Sequence, residues 1–131
     1  MLRVLIVEDS GLFRKVFRET LHARFPTFAI DEASNGKEAM NQIEKHSPDF
    51  IFVDIHLSGE NGLELTREKK TRYPDLVAII LTSYDLPEYR EAALQYKADH
   101  FLPKDSFLKL FHSIFVNRHL TPDASNLKDP F

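Results

Sequence analysis

The chain has 131 residues, 43% of them hydrophobic with 11 Phe, which matches one domain with a single continuous core. Its formal net charge of −3, from 17 basic and 20 acidic residues, gives no basic field for a nucleic-acid backbone, so direct nucleic-acid binding is not expected. The absence of Cys excludes disulfides, thiolate metal sites and a cysteine nucleophile, and the N-terminal apolar run from Val4 to Val7 is far too short for a membrane span or signal-peptide core. A cytoplasmic location and no membrane contact are the expectation.

The first strand is predicted over Arg3 to Val7, and Leu12, Phe13, Val16, Phe17 and Leu21 then recur at helical spacing. A second strand over Phe28 to Ala33 leads to Asn35, with Glu38 three residues on. That pairing of a cap acceptor with a glutamate marks the start of a helix carrying Ala39, Met40 and Ile43. The third strand covers Phe50 to Val53, and Asn61 with Glu64 marks the next helix start. The fourth strand covers Val77 to Leu81; Asp85 with Glu88, and Pro87 in the first turn, open the following helix. A fifth strand, Asp99 to Leu102, precedes a last helix from about Ser106, whose Phe107, Leu108, Phe111, Ile114 and Phe115 form one apolar stripe, read as core packing.

Three of these strands are almost wholly apolar, as strands covered on both faces are. Strand and helix alternate five times, which predicts an α/β fold: a doubly wound, five-stranded parallel sheet, (βα)5, with helices on both faces. Periodicity ends after Val116. Residues 1–118 are read as the domain and residues 119–131 as a polar C-terminal tail or the start of a linker.

In open parallel sheets, ligands bind outside the carboxyl ends of the strands. Those ends carry Glu8 and Asp9, then Asp54, then Thr82 and Ser83, and finally Lys104. The four glycines form no nucleotide-binding loop, and the six histidines, His22, His46, His56, His100, His112 and His119, lack metal-ligand spacing. Taken singly, each strand-end residue has an ordinary reading: Glu8 and Asp9 a solvated loop with a helix cap, Asp54 a turn former, Thr82 a capping hydroxyl, Lys104 a surface lysine.

Together they match a known pattern. Val4 to Asp9, Ala33 to Gly36 with Glu38 and Ala39, Asp49 through Ile55 with Gly62, Leu81 to Ser83, and Phe101 to Lys104 occur in order and at matching intervals. Over essentially residues 2 to 116 the sequence resembles the receiver domain of bacterial two-component response regulators. The resemblance implies a flavodoxin-like fold with strand order 2-1-3-4-5.

It further implies a role for each residue. Asp54 would be the phosphoacceptor, a carboxylate nucleophile forming an acyl phosphate. Mg²⁺ would be bound by Asp9, Asp54 and the His56 main-chain carbonyl, with Glu8 linked through water. Without the metal, the three close carboxylates should repel and raise at least one pKa. Lys104 would neutralise phosphoryl charge, Thr82 would hydrogen-bond a phosphoryl oxygen, and Phe101 would turn inward as the switch aromatic. His56 and Tyr84, two residues beyond Asp54 and Thr82, would tune dephosphorylation. The implied donor is a sensor histidine kinase or phosphotransfer protein, and the chain would be a signalling phosphoacceptor, catalysing only its own phosphorylation and dephosphorylation. The face of the fourth helix, fifth strand and last helix, with Tyr89, Arg90, Phe101, Lys109 and His112, would serve dimerisation or output.

Two positions depart from the family pattern. Ser58 and Asp105 stand where Pro is common, and Ser58 is expected to loosen the turn between Asp54 and Gly62, since Pro would fix one φ. The stretch after Val116 is too short for a DNA-binding output module, so the expectation is a stand-alone receiver or one cut from a longer regulator, with Met1 favouring a natural N-terminus. Two other function classes compete with this reading. A dehalogenase-type phosphatase would carry Asp-x-Asp after the first strand, where this chain has Glu8 and Asp9. A degenerate receiver acting as a phosphorylation-independent interaction module would have no chemical reason to keep Glu8, Asp9, Asp54, Thr82 and Lys104 intact.

Overall fold

Alternating side chains along the central strands divide the core into two layers, one on each face of the sheet. In this computed structural model, which describes residues 2–83 and 86–105, Leu5 and Val7 point into a layer with Ala39, Ile43, Ile51, Val53 and Ile80. Val4 and Ile6 point the other way, into an aromatic-rich layer with Phe17, Leu21, Phe25, Phe50 and Phe52. Phe17 meets Phe52 edge-on, with centroids 5.0 Å apart.

The strands are β1 (Arg3–Val7), β2 (Ala29–Ala33), β3 (Phe50–Asp54), the two-residue β4 (His56–Leu57) and β5 (Glu60–Asn61), β6 (Val77–Thr82) and β7 (His100–Pro103). The helices are α1 (Gly11–Arg24), α2 (Gly36–His46), α3 (Gly62–Arg72) and α4 (Pro87–Gln95). The main sheet is parallel with order β2-β1-β3-β6-β7, which is the expected order 2-1-3-4-5 counted over its five strands. Strands β4 and β5 form a separate antiparallel hairpin that sequence reading did not anticipate. The last helix from about Ser106, the tail, Tyr84 and Asp85 lie outside the described residues.

Several local expectations change in detail. The second strand starts at Ala29, because the Phe28 N–H is bonded to the Phe25 carbonyl and the two rings stack 4.7 Å apart under the end of α1. The fifth strand starts at His100, because Asp99 is used at the edge: its Oδ2 accepts from Ala78 N at 2.8 Å and pairs with Lys70 at 3.0 Å. The α1 stripe divides. Phe17 and Leu21 are buried, whereas Leu12 is 76% and Val16 45% exposed.

The caps are half of what the capping pairs predict. Asn35 accepts from Glu38 N, but the Glu38 carboxylate turns to Ser34, accepting from its N–H and hydroxyl at 2.8 Å each. Asn61 accepts from Leu63 N while Glu64 pairs with Arg67 at 2.7 Å. Helix α4 begins at Pro87, with Leu86 in the cap position and no side-chain cap. The unpredicted cap is Ser10, whose hydroxyl accepts from Phe13 N at 3.3 Å.

Candidate functional site

The carboxyl ends of β1, β3, β6 and β7 converge. Register places Asp54 beside Leu81 and Thr82 beside Pro103, so the predicted acid, hydroxyl and lysine fall within one or two residues of their strand ends. Glu8 and Thr82 are fully buried, Asp54 is 5% exposed and Asp9 is half-buried. Glu8, Asp9 and Asp54 each offer a carboxylate oxygen, and these oxygens lie within 4.8 Å of one another.

Each group is held by specific partners. Glu8 Oε2 accepts from Ser10 N at 3.0 Å, and Arg14 donates to the Glu8 main-chain carbonyl at 2.6 Å. Lys104 is placed by its N–H, which donates to the Thr82 carbonyl at 2.8 Å. Its ammonium pairs with Glu8 Oε1, stands 3.6 Å from Asp54 Oδ2, and lies 4.6 Å from the centroid of the Phe13 ring. Asp54 Oδ1 accepts from His56 N at 3.3 Å.

The electrostatics follow from this arrangement. Burial pushes the Glu8 carboxyl above its ordinary value, the Asp54 charge adds to the rise, and the Lys104 and Ser10 donors oppose it. The expectation that one carboxyl of the cluster is raised therefore holds, with desolvation a larger cause than repulsion. Asp9 moves the other way, held low chiefly by the Ser58 hydroxyl. Ser58 does not leave the turn loose: its N–H and hydroxyl donate to Asp9 Oδ2 at 2.9 and 2.6 Å.

Backbone packing fixes Asp54. Gly62 approaches the end of β3 so closely that a Cβ there would collide with the main-chain oxygen and carbon of Asp54. Gly59, with φ +72°, turns the β4–β5 hairpin, whose Glu60 accepts from Gly36 N at 2.6 Å and so ties the hairpin to the start of α2. Sequence reasoning missed Ser10, Arg14 and Glu60, and it read Ser58 as loosening the turn rather than holding Asp9. Ser10 and Gly59 carry a local cap or turn signal, whereas Arg14, Ser58 and Glu60 act through pairings that only the fold creates.

The peripheral residues are placed as follows. His56 is exposed, its ring edge-on to Tyr89 at 5.9 Å, and Phe101 is half-buried with the Arg90 guanidinium 4.7 Å from its ring centroid. Tyr84, Lys109 and His112 lie outside the described residues. A cavity of about 340 Å³ lined by Ile43, Asp49, Arg72 and Tyr73 sits near the opposite ends of the strands and holds none of the convergent groups. Chemically, three carboxylates beside one ammonium make a hard-oxygen donor set for a divalent cation and leave a carboxylate nucleophile next to a positive charge. No helix among the described residues is long and apolar enough to cross a membrane.

Comparison with known proteins agrees with this geometry. The model of the response regulator receiver domain matches residues 4–114. The chain is 32% identical to the transcriptional regulatory protein DegU of Brevibacillus brevis over 79% of this chain and 44% of the relative. It is 36% identical to the sensory transduction protein LytT of Bacillus subtilis over 79% of this chain and 42% of that protein, so it spans less than half the length of either. The structure of the response regulator TrrA from Thermotoga maritima, in complex with Mg²⁺-BeF, superposes with a TM-score of 0.76 at 30% identity, covering 87% of this chain and 96% of that one. With its flavodoxin-like sheet, its acids at the strand ends and a family match that runs through all of them, the chain belongs to the receiver domains of two-component response regulators.

Proposed function

We propose that this chain accepts a phosphoryl group on Asp54 from the phosphohistidine of a sensor histidine kinase or phosphotransfer protein. The observation that carries the proposal is the convergence of Glu8, Asp9 and Asp54 within 4.8 Å beside Lys104. An Asp54 carboxylate oxygen attacks phosphorus, the nitrogen–phosphorus bond breaks, and the acyl phosphate is later hydrolysed.

The donor set fits Mg²⁺: three carboxylates, all oxygen and acidic, whose oxygens lie within 4.8 Å of one another. Asp9, Asp54 and the His56 main-chain carbonyl would hold the ion, with Glu8 acting through water. When bound, Mg²⁺ supplies charge neutralisation for the transferring group. Lys104 neutralises a second phosphoryl oxygen, and the Thr82 hydroxyl donates to a third. His56, exposed beside the site, and Tyr84 tune hydrolysis.

The output step is a population shift. A phosphate adds nearly two negative charges at the end of β3 and draws Thr82 toward it. Phe101 then turns inward, giving up its contact with Arg90. The α4–β7 face, with Tyr89, Arg90 and Phe101, would contact a partner, a second copy of the chain or an output domain, and the proposed location is the cytoplasm. Residues 1–118 form the proposed receiver domain, followed by a tail or linker.

Incubation with acetyl phosphate and Mg²⁺, followed by intact-protein mass spectrometry, tests the proposal. One phosphate adduct is expected on the wild type, lost with EDTA and lost in Asp54→Ala. No adduct despite bound Mg²⁺ would favour a phosphorylation-independent interaction module.

A further inference from the structure

Ser58 occupies the turn of the β4–β5 hairpin, 49 positions from Asp9 in the chain, yet both of its donors reach that carboxylate. They converge on a single oxygen, Oδ2, at 2.9 and 2.6 Å. The hairpin that carries Ser58 is itself anchored, since Gly36 N donates to Glu60 Oε2 at 2.6 Å and His56 pairs with Asn61 across the two strands. Asp9 is thus fastened to a frame tied to α2.

A proline at this position would have neither an N–H nor a hydroxyl and could make neither contact. A half-buried aspartate on a loop must lose side-chain freedom before it can ligate a cation. With both donors on Oδ2 that freedom is already reduced, and Asp9 still offers a carboxylate oxygen within 4.8 Å of those of Glu8 and Asp54.

We infer that Ser58 is a positioning residue for the cation site, holding the Asp9 carboxylate by Oδ2 in the place where it can ligate a divalent cation shared with Asp54. The inference rests on the proposed Mg²⁺-dependent reading of the site. Ser58 does not touch the cation; it acts through Asp9. Pre-ordering one ligand side chain is worth about three- to tenfold in affinity.

Titration of the ¹⁵N-labelled protein with MgCl₂, followed by amide shifts around Asp9, Asp54 and His56, measures the affinity without any phosphoryl transfer. Ser58→Ala, at an exposed position, is expected to fold and to bind Mg²⁺ about three- to tenfold more weakly. Ser58→Thr, which keeps the N–H and the hydroxyl, is expected to restore affinity to about the wild-type value. Equal or tighter binding by Ser58→Ala, or a Ser58→Thr as weak as Ser58→Ala, overturns the positioning role while leaving the cation site intact. A wild type whose amides do not respond to Mg²⁺ overturns the cation reading itself, and the inference with it.

Discussion

Gly62→Ala isolates the packing that fixes Asp54. The residue opens α3, where alanine is worth up to about 1 kcal/mol over glycine, so helix propensity alone predicts a stabilised variant. The surroundings predict the reverse. The new Cβ would collide with the main-chain oxygen and carbon of Asp54 and meet Ile55 Cα at 3.0 Å. Those are backbone atoms at the end of a central strand and cannot rotate aside. Overpacking of this kind costs about 1–3 kcal/mol or more, so a net loss of about 2 kcal/mol is expected. Gly62 N also donates to the Ile55 carbonyl at 2.8 Å, so any relief of the clash drags the strand end and weakens Mg²⁺ binding. Gly11→Ala is the control: it sits in the first turn of α1, and among the described residues its Cβ would meet only Arg14 Nη2, at 4.0 Å. That variant should gain about 0.5 kcal/mol. Urea denaturation with a common m value reads both. A Gly62→Ala variant as stable as Gly11→Ala would refute the close-approach reasoning.

Phe52→Ala removes a fully buried ring that packs edge-on to Phe17, and a loss of about 3–5 kcal/mol is expected in the same urea assay. Lys104→Ala leaves the buried Glu8 carboxylate without its cation; about 2 kcal/mol should be lost in EDTA, less in a site open at Asp9 than in a closed core. Mg²⁺ should narrow that gap by replacing the missing charge, which thermal melts with and without the ion would show. Glu38 is held below its ordinary value of 4.5 by the Ser34 N–H and then the Ser34 hydroxyl, so its contribution is present above that value and is lost as pH falls through the lowered one. Glu38→Gln should therefore be less stable than the wild type near neutrality, with the difference closing in acid melts.

Much of this arrangement is legible in sequence because it rests on short-range signals. The runs Val4 to Val7 and Phe50 to Val53 are apolar at every position, and a strand covered on both faces needs that composition. Since Glu8, Asp9 and Asp54 directly follow such runs, their common location follows from parallel topology alone. What escaped the sequence depends on pairings across the fold. Leu12 and Val16 share helical spacing with Phe17, yet the sheet covers only part of that face. Glu38 and Glu64 stand where a capping glutamate should, but Ser34 and Arg67 offer them other partners. Lys69 is 2% exposed, reaching Met40 Sδ at 3.6 Å and Glu68 at 3.0 Å, which no polar-outside pattern suggests. Ser58 read as a missing proline; only the fold brings it to Asp9.

The central claim is that Asp54 carries the phosphoryl group, and chemical trapping tests it most directly. Borohydride reduces an acyl phosphate to the alcohol, turning the modified aspartate into homoserine. After incubation with acetyl phosphate and Mg²⁺, then reduction and peptide mass spectrometry, homoserine at position 54 alone is predicted. Homoserine at position 9 or elsewhere, with residue 54 unreduced in a phosphorylated sample, would contradict the account.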